Sequence, residues 1–185
     1  VAMKHEREID ALLIETRSGR RALRARVFID ASGDGDLAAF AGAPWEKSAH
    51  LFYPTLMFKL NGVDAEKAKH AVEDIPRLMR EAEASRACRF ARMGAIVRPM
   101  KNPSEWRANV TQIRNRQGLA MDGTDAAQLS AGEIEGRRQI RDYIRFLRER
   151  VPGFEASTVS DIAPQVGIRE TRRVTGEYLL SGEKT

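Results

Sequence analysis

Apolar positions change their rhythm twice within the first fifty residues. Glu8 to Thr16, "EIDALLIET", centres on Leu12, Leu13 and Ile14 and predicts a strand. Ser18-Gly19-Arg20 is a turn signal, because glycine adopts positive φ without steric cost. "ALRARVFID" returns as a second strand, alternating at first and continuously apolar through Val27-Phe28-Ile29. An unbroken apolar run bounded by turn residues marks a strand covered on both faces. The pair is therefore expected as a hairpin whose second strand enters a parallel, helix-covered sheet. After Ala31-Ser32-Gly33, either Asp34 or Asp36 stands where it could cap the short helix "LAAFAGA", which Gly42-Ala43-Pro44 ends.

Further on, "LFYPTLMFKLNGVD" reads as a strand closed by Asn61-Gly62. Asp64 is expected to cap a helix over "AEKAKHAVEDI", interrupted or restarted at Pro76 before "RLMREAEASRA". "GAIVRPM" and "RANVTQIRN" are two more strands, and "QGLAMDGTDAAQL" is turn-rich loop. Ser130 and Glu133 have capping-box spacing at the start of a long helix, whose stripe is Ile140, Tyr143, Ile144, Leu147 and Val151. Pro152-Gly153 ends it, and strands follow around Gly167 and from Arg173 to Leu180. The fold class is α+β, or mixed α/β. Residues 1–45 are expected as a partial parallel-sheet corner, and residues 46–185 as a mixed-sheet domain with long helices.

Composition narrows the partners. No apolar run approaches a membrane span, and the single cysteine, Cys88, excludes an internal disulfide and fits a reducing cytoplasm. Three scattered histidines, His5, His50 and His70, offer no metal set. The net charge of +5 comes largely from arginine. Arginine suits capture of carboxylate or phosphate, contact with nucleic acid, or simply the solvated faces of a protein from a GC-rich bacterial genome. On the long helix, Arg137, Arg138, Arg141, Arg145, Arg148 and Arg150 are interleaved with Glu133, Glu135, Asp142 and Glu149 at helical spacings that allow pairing, and no aromatic interleaving there suggests base stacking. That pattern favours a solvated or domain-facing surface over a nucleic-acid track. A basic module docking on nucleic acid or an acidic protein is the alternative function.

Chemistry concentrates in two places. Ala31, Ser32 and Gly33 would let backbone approach a planar or phosphate-bearing ligand at a sheet's carboxyl edge. Asp34 or Asp36 would accept a ligand hydroxyl or cap the helix; the other reading is a tight strand-to-helix turn. In "GIRETRR", alternation puts Arg169, Thr171 and Arg173 on one side of a strand, so Arg169 and Arg173 could converge on one anion. Arg172 would instead pair structurally, with Glu170 or Glu177. His50 is either an acid–base group or an incidental connection residue, and Tyr53 and Tyr178 read as core or sheet-edge aromatics.

"VFIDASGDGDLAAFAGAP" resembles the Asp-Ala-Thr-Gly-Asp-Gly-Asp segment of a large bacterial family of FAD-dependent oxidoreductases, with Ser32 replacing threonine. That family is of the glutathione-reductase type and is related to fumarate reductase flavoproteins and geranylgeranyl reductases. "PTLMFKLNGVD", "SAGEIEGRRQIRDYIRFLRERVPGFE" and "GIRETRRVTGEYLL" resemble it too, in the family's order. The resemblance implies FAD as cofactor, with Ala31, Ser32, Gly33 and Asp34 on the flavin side. It implies hydride transfer with a small organic substrate held by Arg169 and Arg173, with His50 as a further catalytic candidate. Residues 1–45 would then be a partial, Rossmann-like corner of the FAD-binding domain and residues 46–185 a substrate domain truncated at its end. The family's opening Gly-x-Gly-x-x-Gly occurs nowhere in the sequence. The chain is therefore expected to be an internal fragment that partners the remainder of the same flavoprotein, binds FAD poorly alone, and self-associates through uncovered apolar surface.

Overall fold

The computed structural model describes residues 1–6 and 8–178. In chain order it contains β1 (Ala2–His5), β2 (Glu8–Thr16), β3 (Gly19–Leu23), α1 (Asp36–Phe40), β4 (Trp45–Lys47), β5 (Phe58–Asn61) and α2 (Ala65–Ala71). A 3-10 turn, Val72–Asp74, then leads to α3 (Ile75–Ala84), β6 (Ile96–Pro99), β7 (Trp106–Asn109), α4 (Ala126–Arg150), β8 (Thr158–Ile162) and β9 (Arg172–Val174). The class is α+β, and every strand pairing among the described residues is antiparallel. The chain divides into two compact units: Val1–Ala49 together with the segment from Glu170 onward, and His50–Arg169.

In the first unit, β1, β2 and β3 form a meander in which Thr16 pairs Gly19 and Leu12 pairs Leu23. The Thr16 hydroxyl closes the hairpin by donating to the Gly19 carbonyl at 2.7 Å. β4 and β9 pair as a separate ribbon, with Lys47 opposite Arg172. The second strand of the hairpin stops at Leu23, which corrects the expectation of a strand running to Asp30. Val27–Ile29 join no sheet among the described residues, and Val27 and Ile29 are 72% and 84% exposed. Their apolar character marks an affinity for burial. It does not itself supply the neighbouring strands that would bury them.

The second unit carries the core. Its sheet has the order β6-β7-β5-β8, and along β5 the residues Phe58 and Leu60 point inward while Lys59 points out to Asp161. Ile140, Tyr143, Phe146 and Leu147 of α4 pack onto the core with Leu56, Trp106 and Phe154. α4 lies close on its bed: a Cβ at Gly136 would sit 2.9 Å from Leu56 Cδ2. Two buried polar groups stand in for strand neighbours. Thr111 Oγ1 accepts from the Leu56 amide and donates to its carbonyl, and the Gln139 carboxamide does the same for both backbone groups of Gln112.

Helix ends follow their caps. Asp64 accepts from the Lys67 amide and starts α2, as the sequence suggests, and Pro76 falls in the first turn of α3. α4 begins earlier than the expected Ser130–Glu133 box. Asp125 caps it by accepting from the Ala127 and Gln128 amides, while Ser130 donates back to the Ala126 carbonyl. Glu133 is drawn elsewhere, to Arg137 and the Val166 amide. The Arg173–Leu180 strand is observed only as Arg172–Val174; Leu179 and Leu180 lie outside the described residues.

Candidate functional site

The turn Asp30–Asp36 is organised by a residue to which the sequence reading assigned no role. Asp30 Oδ2 accepts from the Ala38 amide at 2.9 Å, and its Oδ1 accepts from the Ser32 amide and hydroxyl at 3.1 and 2.7 Å. The Ser32 oxygen in turn accepts from the Asp36 amide at 3.0 Å. Asp30 therefore captures an early amide of α1 from outside the helix, and neither Asp34 nor Asp36 caps it; Gly35 sits at the cap position with φ 64°. The Ala38 amide, then the Ser32 hydroxyl and amide, hold the Asp30 carboxyl below the usual carboxylate range. The signal that could have found it is the Asp-x-Ser spacing of an Asx turn.

Asp34 and Asp36 bind protein partners. The Thr171 hydroxyl donates to Asp34 Oδ1 at 2.6 Å, and Arg172 Nη1 donates to the Asp34 carbonyl at 3.2 Å and to Asp36 Oδ1 at 2.6 Å. The Arg172 guanidinium also lies 5.4 Å from the centre of the Trp45 ring. Arg172 is thus a structural hub, as expected, but its acidic partner is Asp36 rather than Glu170 or Glu177. Residues 169–171 are not strand, so the expected alternation fails: Thr171 is buried and Arg173 is exposed. Arg173 faces Glu46 at 3.5 Å and Glu170 at 4.0 Å.

The other candidates lie in the second unit. Arg169 Nη2 donates to Thr55 Oγ1 at 2.9 Å, and His50 is exposed. Tyr53 is not core: its hydroxyl reaches the Gly118 carbonyl at 3.4 Å and Arg114 stacks on its ring at 5.4 Å. Tyr178 is 64% exposed. On α4, Arg137 pairs with Glu133, and Arg138 pairs with Glu135 at 2.7 Å and Asp142 at 3.0 Å, as their spacing predicts. No group of metal-ligating side chains occurs among the described residues, and no helix there is long and apolar enough to cross a membrane.

A flavin nucleotide is compatible with the Ala31–Gly33 turn. Ala31, Ser32 and Gly33 are exposed. Gly33 holds φ +82° with nothing within 4 Å of the place a Cβ would occupy, so backbone there is open to close approach. The Asp30 network fixes the shape of that turn from behind.

Comparison with known proteins agrees with this chemistry. Neither curated proteins nor solved structures yield a significant match. A family-wide sequence profile described as FAD dependent oxidoreductase matches residues 1–185, the full length of the chain. The chain belongs to the FAD-dependent oxidoreductase family.

Proposed function

We propose that the chain is the substrate-side part of a longer flavoenzyme that transfers a hydride between a small, carboxylate-bearing organic molecule and FAD. The observation that carries this reading is the open backbone of Ala31, Ser32 and Gly33 in a chain of this family. Those residues would hold FAD through main-chain contacts, with Asp34 beside them steadied by Thr171. Bound FAD supplies the two-electron acceptor.

Arg169 would anchor the substrate carboxylate. Its one hydrogen bond among the described residues, to Thr55, orients the guanidinium and leaves other N–H groups for an anion. Arg173, exposed and only loosely opposed by Glu46 and Glu170, is assigned a second contact. His50 is assigned proton transfer. The exposed Val27 and Ile29 support the fragment reading: their occupant is a strand from the remainder of the same polypeptide, which would also bring the glycine-rich pyrophosphate turn. The alternative, a basic module for nucleic acid or an acidic partner, has less support, because Arg137 and Arg138 are already paired.

Flavin occupancy tests both parts. The isolated chain should purify without stoichiometric flavin. The polypeptide from the uninterrupted reading frame should carry one FAD, lost in Gly33→Val. A yellow, fully loaded isolated chain overturns the fragment reading; a Gly33→Val enzyme that keeps its FAD overturns the assignment of the Ala31–Gly33 turn.

A further inference from the structure

We propose that the cleft between the end of α3 and the middle of α4, within the second unit, binds a small organic polyanion carrying phosphate or carboxylate groups. The cleft measures about 880 Å³, within the size range of small-molecule sites. Five arginines line it, Arg86, Arg89, Arg114, Arg138 and Arg145, against two acidic residues, Glu83 and Asp142.

The acids present do not neutralise this set. Glu83 accepts from the Phe90 amide at 3.1 Å, and Asp142 accepts from Arg138 at 3.0 Å. Arg138 also takes Glu135, and Arg114 is tied to the Gln112 side chain and the Ala91 carbonyl. Arg86 and Arg89 have no ion pair or hydrogen-bonded side-chain partner among the described residues, and Arg145 approaches Asp142 only at 3.9 Å. Three arginines, two from the exit of α3 and one from α4, thus border one concave space. Their mutual repulsion is relieved by an anion reaching both walls, and their forked N–H groups match carboxylate and phosphate oxygens.

Backbone conformation agrees. Arg86 holds φ 58° just past α3, with its amide donating to the Glu83 carbonyl at 2.9 Å and the next amide to Ala82 at 3.0 Å. Glycine is the residue favoured at such a position. The arginine at this position brings its charge to the cleft at the expense of backbone comfort. The aromatic rings on the lining, Phe90 and Tyr143, are 9% and 2% exposed, so no platform is offered for stacking a base. Recognition rests on charge and hydrogen bonds.

Cys88, the only cysteine, lies on the lining and reports occupancy. Its alkylation by iodoacetamide is measured in the 185-residue chain at about 0.15 M salt, with pyrophosphate and with citrate as probes. Saturable protection by at least one probe is expected: pyrophosphate alone identifies a phosphate ligand, citrate alone a carboxylate one. Arg89→Ala with Arg145→Ala should weaken half-saturation by roughly tenfold or more. Arg141→Ala with Arg150→Ala, an equal loss of charge elsewhere on α4, should leave it unchanged. Alkylation indifferent to both probes overturns the proposal, and so does equal weakening in the two double variants. Protection of the unmutated chain requires no variant to fold.

Discussion

The Thr171 hydroxyl donates to the Asp34 carboxylate at 2.6 Å, joining residues 137 positions apart. Thr171 is 3% exposed, and Arg172 beside it grips the same turn through the Asp34 carbonyl and Asp36. These contacts hold the end of the described chain to the Asp30–Asp36 corner.

Thr171→Val should therefore destabilise the first unit by about 1.5–3 kcal/mol, the range for a hydrogen bond to a charged group. Urea unfolding followed by Trp45 fluorescence in a Trp106→Phe background reads that unit. Asp34→Asn combined with Thr171→Val should cost less than the sum of the single changes, since both remove one contact. Strict additivity would mean that the bond contributes nothing.

Asp30 should make the corner sensitive to acid. Its carboxyl is depressed in the folded chain by the Ala38 and Ser32 hydrogen bonds. The stability it contributes is present above the unfolded carboxyl range, about pH 4, and is lost as pH falls through the lower folded value. The stability gap between the parent chain and Asp30→Asn should thus be constant from neutral pH to about pH 5 and narrow below about pH 4. A gap independent of pH would show that the ionised form is not preferred.

Tyr143 acts at the alkaline end. Burial raises its phenol to about 12, although the hydroxyl donates to the Arg92 carbonyl at 2.8 Å. The unfolded phenol ionises near pH 10, so between about pH 10 and 12 the unfolded chain sheds a proton the folded chain keeps, and stability falls. Tyr143→Phe should remove that part of the alkaline decline. At neutral pH it should cost about 1–2 kcal/mol by leaving the Arg92 carbonyl unsatisfied. Unfolding midpoints at pH 8 and pH 11 for both chains test it.

How much of this was legible in the sequence depends on the range of the interaction. The α4 stripe was, because Ile140, Tyr143 and Leu147 recur at helical spacing and all are buried. Its start was not: Asp125 and Ser130 both suit a cap, and the winner is set by the loop before the helix, where the Asp122 carboxylate holds Thr124. The hairpin turn was legible because Thr16 and Gly19 are local. The Asp34–Thr171 and Asp36–Arg172 contacts were not, since no periodicity links segments more than a hundred residues apart. Val27–Ile29 were misread because apolar composition reports a preference for burial without naming what provides it.

Gly153 offers the sharpest test of packing in the second unit. It holds φ +90°, its carbonyl accepts from the Asp64 amide at 2.9 Å, and an added Cβ would lie 2.6 Å from the Ala68 nitrogen. Both the left-handed backbone and the clash with main chain oppose any side chain. Gly153→Ala should cost at least about 2 kcal/mol. Urea unfolding of the His50–Arg169 unit, read through Trp106, measures it; a change below about 0.5 kcal/mol would mean that the α4–α2 junction is loose.

Thr55 and Gly167 exchange backbone hydrogen bonds at 3.3 and 2.8 Å, so the second unit receives the chain and returns it at adjoining points. A body entered and left through one narrow doorway behaves as a cassette. It can be cut out, or traded for another insert of similar footprint, without re-threading the polypeptide on either side.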